Sequence, residues 1–230
     1  MKKVLIVCAH PGDEVLGCGG TIALHRLKGD SVKVMILGDG WSSRISTHEK
    51  AREAIDLDVL EKKGHESLSI LGTDDVQYLR FPDNRFDMVS MLDLVKEIER
   101  VKGSYAPELV YTNSPFDLSV DQEKTCRAVV TAFRPQPGER CRQIFAFEVL
   151  SSTEWNLSEQ RGGFSPNYFV NIESVLAKKI EAFARLDSEL RTWPHPRSRE
   201  GVEFHARTRG ALAGVRAAEA FMLLYQLGDI

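Results

Sequence analysis

Val4 to Ala9 is an unbroken apolar run rich in β-branched residues, and His10-Pro11-Gly12-Asp13-Glu14 follows it with no spacer. The run is far too short to span a bilayer and does not alternate with polar residues. It therefore reads as a strand, Lys3–Ala9, buried on both faces. Such a strand needs helices above and below it, which points to an α/β arrangement. The rest of the chain keeps that rhythm. Strands are predicted at Val32–Leu37, Val76–Phe81, Glu108–Thr112 and Ile144–Leu150. Between them fall helices. Thr21–Lys28 ends at Gly29. A second helix opens at a Ser46/Glu49 capping box, runs to about Lys63 and stops at Gly64. The remaining two are capped by Asp87 and Asp121. Beyond residue 150 the pattern predicts a short strand, Tyr168–Ile172, a helix, Ser174–Leu190, a Pro-rich stretch, Trp193–Pro196, and a last helix, Arg199–Leu227. The expected fold is a three-layer, Rossmann-like α/β domain. Its sheet is mostly parallel with helices on both faces, a helical extension closes the chain, and residues 1–230 form one domain.

Composition narrows the function classes. The 230 residues are 43% hydrophobic and 27% charged, an ordinary globular balance. Thirty Lys and Arg against 33 Asp and Glu give a net charge of −3, which offers no electrostatic footprint for nucleic acid or an anionic membrane. No run is long enough for membrane insertion. The four cysteines, Cys8, Cys18, Cys126 and Cys141, show no Cys-x-x-Cys spacing and read as free thiols of a reducing compartment, so the protein is expected to be cytoplasmic.

In doubly wound sheets, ligands sit beyond the carboxyl ends of the strands. Four segments follow strands directly: His10–Glu14, Gly38–Arg44, Asn113–Gln122 and Ser151–Trp155. They are expected to meet in one crevice. A His and an Asp three residues apart on the first turn can both face one cation, because zinc accepts imidazole nitrogen and carboxylate oxygen. A plain turn with a solvated carboxylate explains the same spacing. Gly17-Cys18-Gly19-Gly20 lacks the glycine spacing of a dinucleotide fingerprint, and no phosphate-binding Gly-x-x-x-x-Gly-Lys-Ser/Thr occurs.

An ordered set of motifs resembles the PIG-L/LmbE-like family of zinc-dependent N-acetyl-sugar deacetylases in their bacterial form. It comprises Ala9-His10-Pro11-Gly12-Asp13-Glu14, Gly17-Cys18-Gly19-Gly20-Thr21, Phe81-Pro82-Asp83-Asn84-Arg85-Phe86-Asp87, Asp117-Leu118-Ser119-Val120-Asp121, Ser151-Ser152-Thr153-Glu154-Trp155, Pro194-His195-Pro196-Arg197-Ser198, Arg209-Gly210 and Ala218-Glu219-Ala220-Phe221. The resemblance implies Zn2+ or another divalent cation held by His10, Asp13 and Gln122. It also implies catalytic roles for Asp121 and His195, and substrate contacts from Arg44, Asn84, Glu154 and Arg197. The implied substrate is a small N-acetyl sugar conjugate in a bacterial biosynthetic pathway, and a homo-oligomer is compatible with the family. Two positions depart from its pattern. Gly12 stands where the family carries the aspartate that acts as general base, and Gln122 where it carries the third, imidazole ligand. Asp117, Asp121 and Glu14 are the carboxylates placed to compensate. The expectation is a metal-dependent amidohydrolase; the alternative is an impaired member that binds a sugar-like ligand or a partner without zinc.

Overall fold

The computed structural model describes residues 1–44, 57–157 and 162–228. The elements run β1 (Lys3–Cys8), α1 (Asp13–Leu27), β2 (Ser31–Gly38), α2 (Leu57–Leu71), β3 (Val76–Phe81), α3 (Met91–Tyr105), β4 (Leu109–Asn113), α4 (Val120–Ala132), β5 (Gln143–Phe147), β6 (Tyr168–Asn171), α5 (Leu176–Phe183), α6 (Arg199–Ala213) and β7 (Ala218–Gln226). One seven-stranded sheet has the order β3-β2-β1-β4-β5-β7-β6. The first five strands are parallel, and β7 is antiparallel to both β5 and β6.

The pleat of β1 sorts its side chains into two cores. Val4, Ile6 and Cys8 pack with Ile22, Leu68, Phe183 and Val202, from α1, α2, α5 and α6. Leu5, Val7 and Ala9 pack with Leu94, Ile98, Val129 and Phe133, on the side of α3 and α4. Both faces are thus covered, as the apolar run requires. The three-layer α/β architecture matches the expectation.

Differences fall where tertiary contacts override local pattern. Helix α2 runs through Gly64 to Leu71, and the Tyr78 hydroxyl lies 2.1 Å from where a Cβ at position 64 would stand. Gly64 is a point of close approach, not a stop. Its predicted capping box, Ser46 and Glu49, lies outside the described residues. Ser90, not Asp87, caps α3, accepting from Leu92 N at 3.2 Å. The predicted helix Ser174–Leu190 shortens to α5 after a 3-10 turn, Glu173–Val175.

The largest correction concerns the expected C-terminal helical extension. Helix α6 ends at a left-handed Gly214, and Ala218–Gln226 is a strand. The Ala-rich stretch looks helical in isolation. It forms β7 because two neighbours, β5 and β6, offer their ladder groups on either side of it.

Candidate active site

All four predicted segments, together with the turn after β3 and the loop after α5, meet beyond the carboxyl ends of the strands, the second through Gly40. They enclose a hollow of about 170 Å³ lined by His10, Asp13, Asn84, Gln122, Ser152 and Arg197, and also by Asp83 and Glu189. Pockets that engulf a whole small molecule run to roughly 300–1,000 Å³, so this one suits one end of a ligand. A larger hollow, about 620 Å³, opens at the opposite, amino end of the strands beside Lys2, Leu109 and Gln143.

His10 leaves β1 directly, and its backbone is pinned by the surrounding turn. Its Nε2 lies 2.9 Å from Asp121 Oδ2 and 3.0 Å from Asp83 Oδ1. These three groups place their ligand atoms within 4.8 Å of one another. Burial disfavours charge on the ring, but the bonds to Asp121 and Asp83 and the nearby Asp13 outweigh it and push the imidazole up to about 10. Asp121 is fully buried on the first turn of α4. Its Oδ1 accepts from Phe86 N at 2.9 Å and its Oδ2 from Asn84 N at 2.7 Å. Asp121 ties the turn after β3 to the imidazole, and Ser119, not Asp121, is the residue at the N-cap of α4.

Asp13 is also buried. Its Oδ1 accepts from Gln122 Nε2 and its Oδ2 from Asn113 Nδ2, each at 2.9 Å, and His10 N donates to Oδ2 at 3.2 Å. Burial raises this carboxyl, opposed chiefly by His10 and Gln122. A carboxylate has about four lone-pair sites, so one remains for a cation. Gln122 does not present the oxygen a cation would need. Its Nε2 faces Asp13, and its Oε1 faces Ser152 Oγ at 2.8 Å, which in turn bonds Asp117. Asp117 is itself spent on Ser152, Thr153 and Ser119 N.

The fit of a divalent cation can be judged from this donor set. A metal-binding imidazole commonly donates its second ring nitrogen to a carboxylate, which fixes the ring. His10 does so twice through Nε2, while Nδ1 has no hydrogen bond among the described residues. Imidazole nitrogen and carboxylate oxygen suit zinc or a harder divalent ion. The residues fit such an ion, with Gln122 turning its Nε2 rather than its oxygen toward Asp13.

The remaining predicted residues are placed as follows. Asn84 sits at φ 54 and donates from Nδ2 to Ser43 Oγ at 3.1 Å. Arg197 donates from Nε to Leu150 O at 2.9 Å and pairs through Nη1 with Glu189. His195 lies behind it, its Nδ1 accepting from Arg197 N at 3.0 Å and its ring edge-on to Trp155 at 5.8 Å; it does not line the hollow. Glu154 is exposed and accepts from Ser151 N. Arg44 closes a 3-10 turn, Ser42–Arg44, and its side chain lies outside the described residues. Glu14 is sealed below the site and accepts from Gly12 N at 2.9 Å; burial pushes its carboxyl up to about 8, and its Oε1 has no hydrogen-bond partner among the described residues. The phosphate-loop alternative at Gly17–Gly20 does not stand, because Glu219 occupies the Gly20 and Thr21 N–H groups at 2.8 and 2.7 Å.

Sequence reasoning gave no role to Asp83, Asn113 or Glu189. Asp83 sits just past β3 and Asn113 ends β4, and those places at the carboxyl ends of parallel strands were the available signal. Glu189 follows a helix in the less regular last third, where no pattern marked it.

An α/β sheet with a His- and carboxylate-lined crevice at its carboxyl edge is the general setting of a hydrolytic enzyme. The chain belongs to the PIG-L family, described as GlcNAc-PI de-N-acetylase, which matches residues 5–133. It is 29% identical over 160 residues to the uncharacterized deacetylase YaiS of Escherichia coli K12, covering 66% of this chain and 76% of that one. It is 27% identical over 210 residues to the diacetylchitobiose deacetylase of Thermococcus kodakarensis, covering 82% and 70%. The solved structure of GalB, the 4-carboxy-2-hydroxymuconate hydratase of Pseudomonas putida KT2440, superposes with a TM-score of 0.77 at 22% identity, covering 100% of this chain and 99% of that one. That last likeness is one of fold, and a fold shared with a hydratase means that chemistry must be argued from the site. Among the described residues, no helix is long and apolar enough to cross a membrane.

Proposed function

We propose that this chain hydrolyses the acetamido group of an N-acetylated amino sugar or its conjugate, using a divalent cation held by His10 and Asp13. The observation that carries this reading is the convergence of a doubly anchored imidazole, a buried carboxylate and a fixed guanidinium on one small polar hollow. A bound cation would polarise the amide carbonyl and lower the pKa of water. The chain's own residues do the rest. Asp83 and Asp121 hold the His10 ring. Asn113 and Gln122 hold Asp13 and keep its position independent of substrate. Arg197, fixed by Leu150 O and Glu189, offers a donor fork at the rim for hydroxyls or charge on the sugar. The size of the hollow favours entry of the acetamido end, with the remaining sugar outside.

The test is acetate release from N,N'-diacetylchitobiose and N-acetylglucosamine conjugates by protein purified without chelator, alongside its metal content. Release that chelator abolishes and a divalent ion restores is expected, with tighter zinc binding and faster turnover in Gln122→His. No release from any conjugate with zinc, cobalt, manganese or magnesium would overturn the reading. Binding of the same sugars without turnover would establish the impaired, ligand-holding alternative.

A further inference from the structure

Amide hydrolysis needs a group that takes a proton from water, and the turn that carries His10 and Asp13 has no side chain at position 12. Gly12 stands there at φ +96, and a Cβ built on it would point at Leu186 Cδ1, 3.3 Å away, and Glu189 Cγ, 3.6 Å away. The space above Gly12 is therefore filled from another part of the chain. Glu189 reaches it from the turn after α5, where Glu189 N and Leu190 N both donate to Leu186 O at 2.9 and 3.0 Å. Its side chain is about 10% exposed, and Glu189 is among the residues lining the hollow that also holds His10 and Asp13.

Glu14 keeps one unpartnered oxygen but does not line the hollow. The remaining carboxylates are each held by several groups, as Glu189 is by Arg197. Asp13 accepts three hydrogen bonds, from Gln122, Asn113 and the His10 amide. Asp121 has no exposure and holds His10 and two backbone amides. Asp83 spends one oxygen on His10 and the other on Ser43. Glu154 is out in solvent. Arg197, itself tethered to Leu150 O, fixes the direction of the Glu189 carboxylate.

We infer that Glu189 is the general base of this site, supplied across the hollow to the position that Gly12 leaves bare. The inference rests on the amidohydrolase reading above. As the oxygen of a water bonds to the amide carbonyl carbon, the carbonyl π pair moves onto its oxygen and Glu189 takes one proton from the water. Glu189 then gives that proton to the nitrogen as the C–N bond breaks. Acetic acid and the free amine leave, and the carboxylate is regenerated. The Gly12 backbone admits this arrangement because a larger residue there would press on Leu186 and on the glutamate stem.

The experiment compares wild type, Glu189→Gln, Glu189→Ala and Glu189→Ala/Gly12→Asp. It measures acetate release from N,N'-diacetylchitobiose, cation content, and calorimetric affinity for the same sugar. Glu189→Gln should lose about 10²- to 10⁴-fold in kcat, with sugar affinity and cation content within about threefold of wild type. Formate should restore part of the turnover of Glu189→Ala, and so should an aspartate placed at position 12. Undiminished kcat in Glu189→Gln would overturn the inference and leave the amidohydrolase reading standing. So would a loss matched by weaker sugar binding and unrelieved by formate, which would mean that Glu189 only holds Arg197. No acetate release by wild type would overturn both.

Discussion

Helix α1 begins twice, and each beginning meets a buried carboxylate. Its first turn starts at Asp13; it kinks at Cys18, where φ is −143°, and resumes directly after, with Gly20 and Thr21 in the first turn of the second segment. At the second start Glu219 of β7 accepts from Gly20 N, Thr21 N and Thr21 Oγ1, and Lys179 of α5 neutralises it at 2.6 Å while also donating to Leu16 O. Lys179 and Glu219 are 4% and 3% exposed. Every hydrogen bond there closes on the protein itself. At the first start the Asp13 carboxylate is held just as firmly but opens on a hollow with lone-pair capacity left. The closed cluster is scaffold; the open one borders the hollow in which the proposed site lies. Burial alone does not distinguish them; what does is whether the polar groups saturate one another.

That contrast can be broken by mutation. Glu219→Ala strips the partner from a buried lysine, and such a loss costs about 3–5 kcal/mol. Thermal and denaturant unfolding should show it, while acetate release per folded molecule stays at the wild-type value. A large fall in turnover without a fall in stability would erase the distinction. On the open side, Asp121→Asn weakens the grip on His10 Nε2. Loss of such a supporting carboxylate commonly costs about 10- to 100-fold in cation affinity or activity. Cation titration should register it, and complete loss of cation binding would instead make Asp121 a ligand.

The smallest effect is expected at Glu148, which Arg209 holds with two bonds and His205 Nε2 approaches at 3.0 Å. Burial raises its carboxyl, but the bonds from His205 and Arg209 prevail and lower it below the usual range. A lowered native pKa adds stability that is complete above the unfolded value and disappears as pH falls through the native one. Glu148→Gln should therefore be less stable than wild type by about 1.5 kcal/mol at pH 7, the low end for a hydrogen bond to a charged group because Gln keeps an acceptor. The gap should narrow below about pH 4.5. A gap independent of pH would mean that packing, not charge, is lost.

Glu219, Arg209 and Gly210 show how motifs were legible as strings before their parts were. Each lies in a motif that marks the family, yet Glu219 and Arg209 serve the scaffold, and a Cβ at Gly210 would stand only 2.7 Å from the Ala217 backbone. The crevice itself was readable, because residues following parallel strands must emerge at one edge of the sheet. Asp83 and Asn113 obeyed that rule without being singled out. Gln122 could be read as a departure, but not as a donor to Asp13, since the direction of an amide depends on what faces it.

The sequence by itself determined the α/β alternation, the double burial of β1 and the edge at which the chemistry gathers. These follow from hydrophobic period and strand handedness, which are local properties of the chain. Only the tertiary structure decided that Ala218–Gln226 is a strand, that Asp121 holds His10, and that Glu189 stands above Gly12. Each of those depends on groups distant in the chain competing for the same hydrogen bonds and the same volume, and that competition is resolved only when the whole fold is packed.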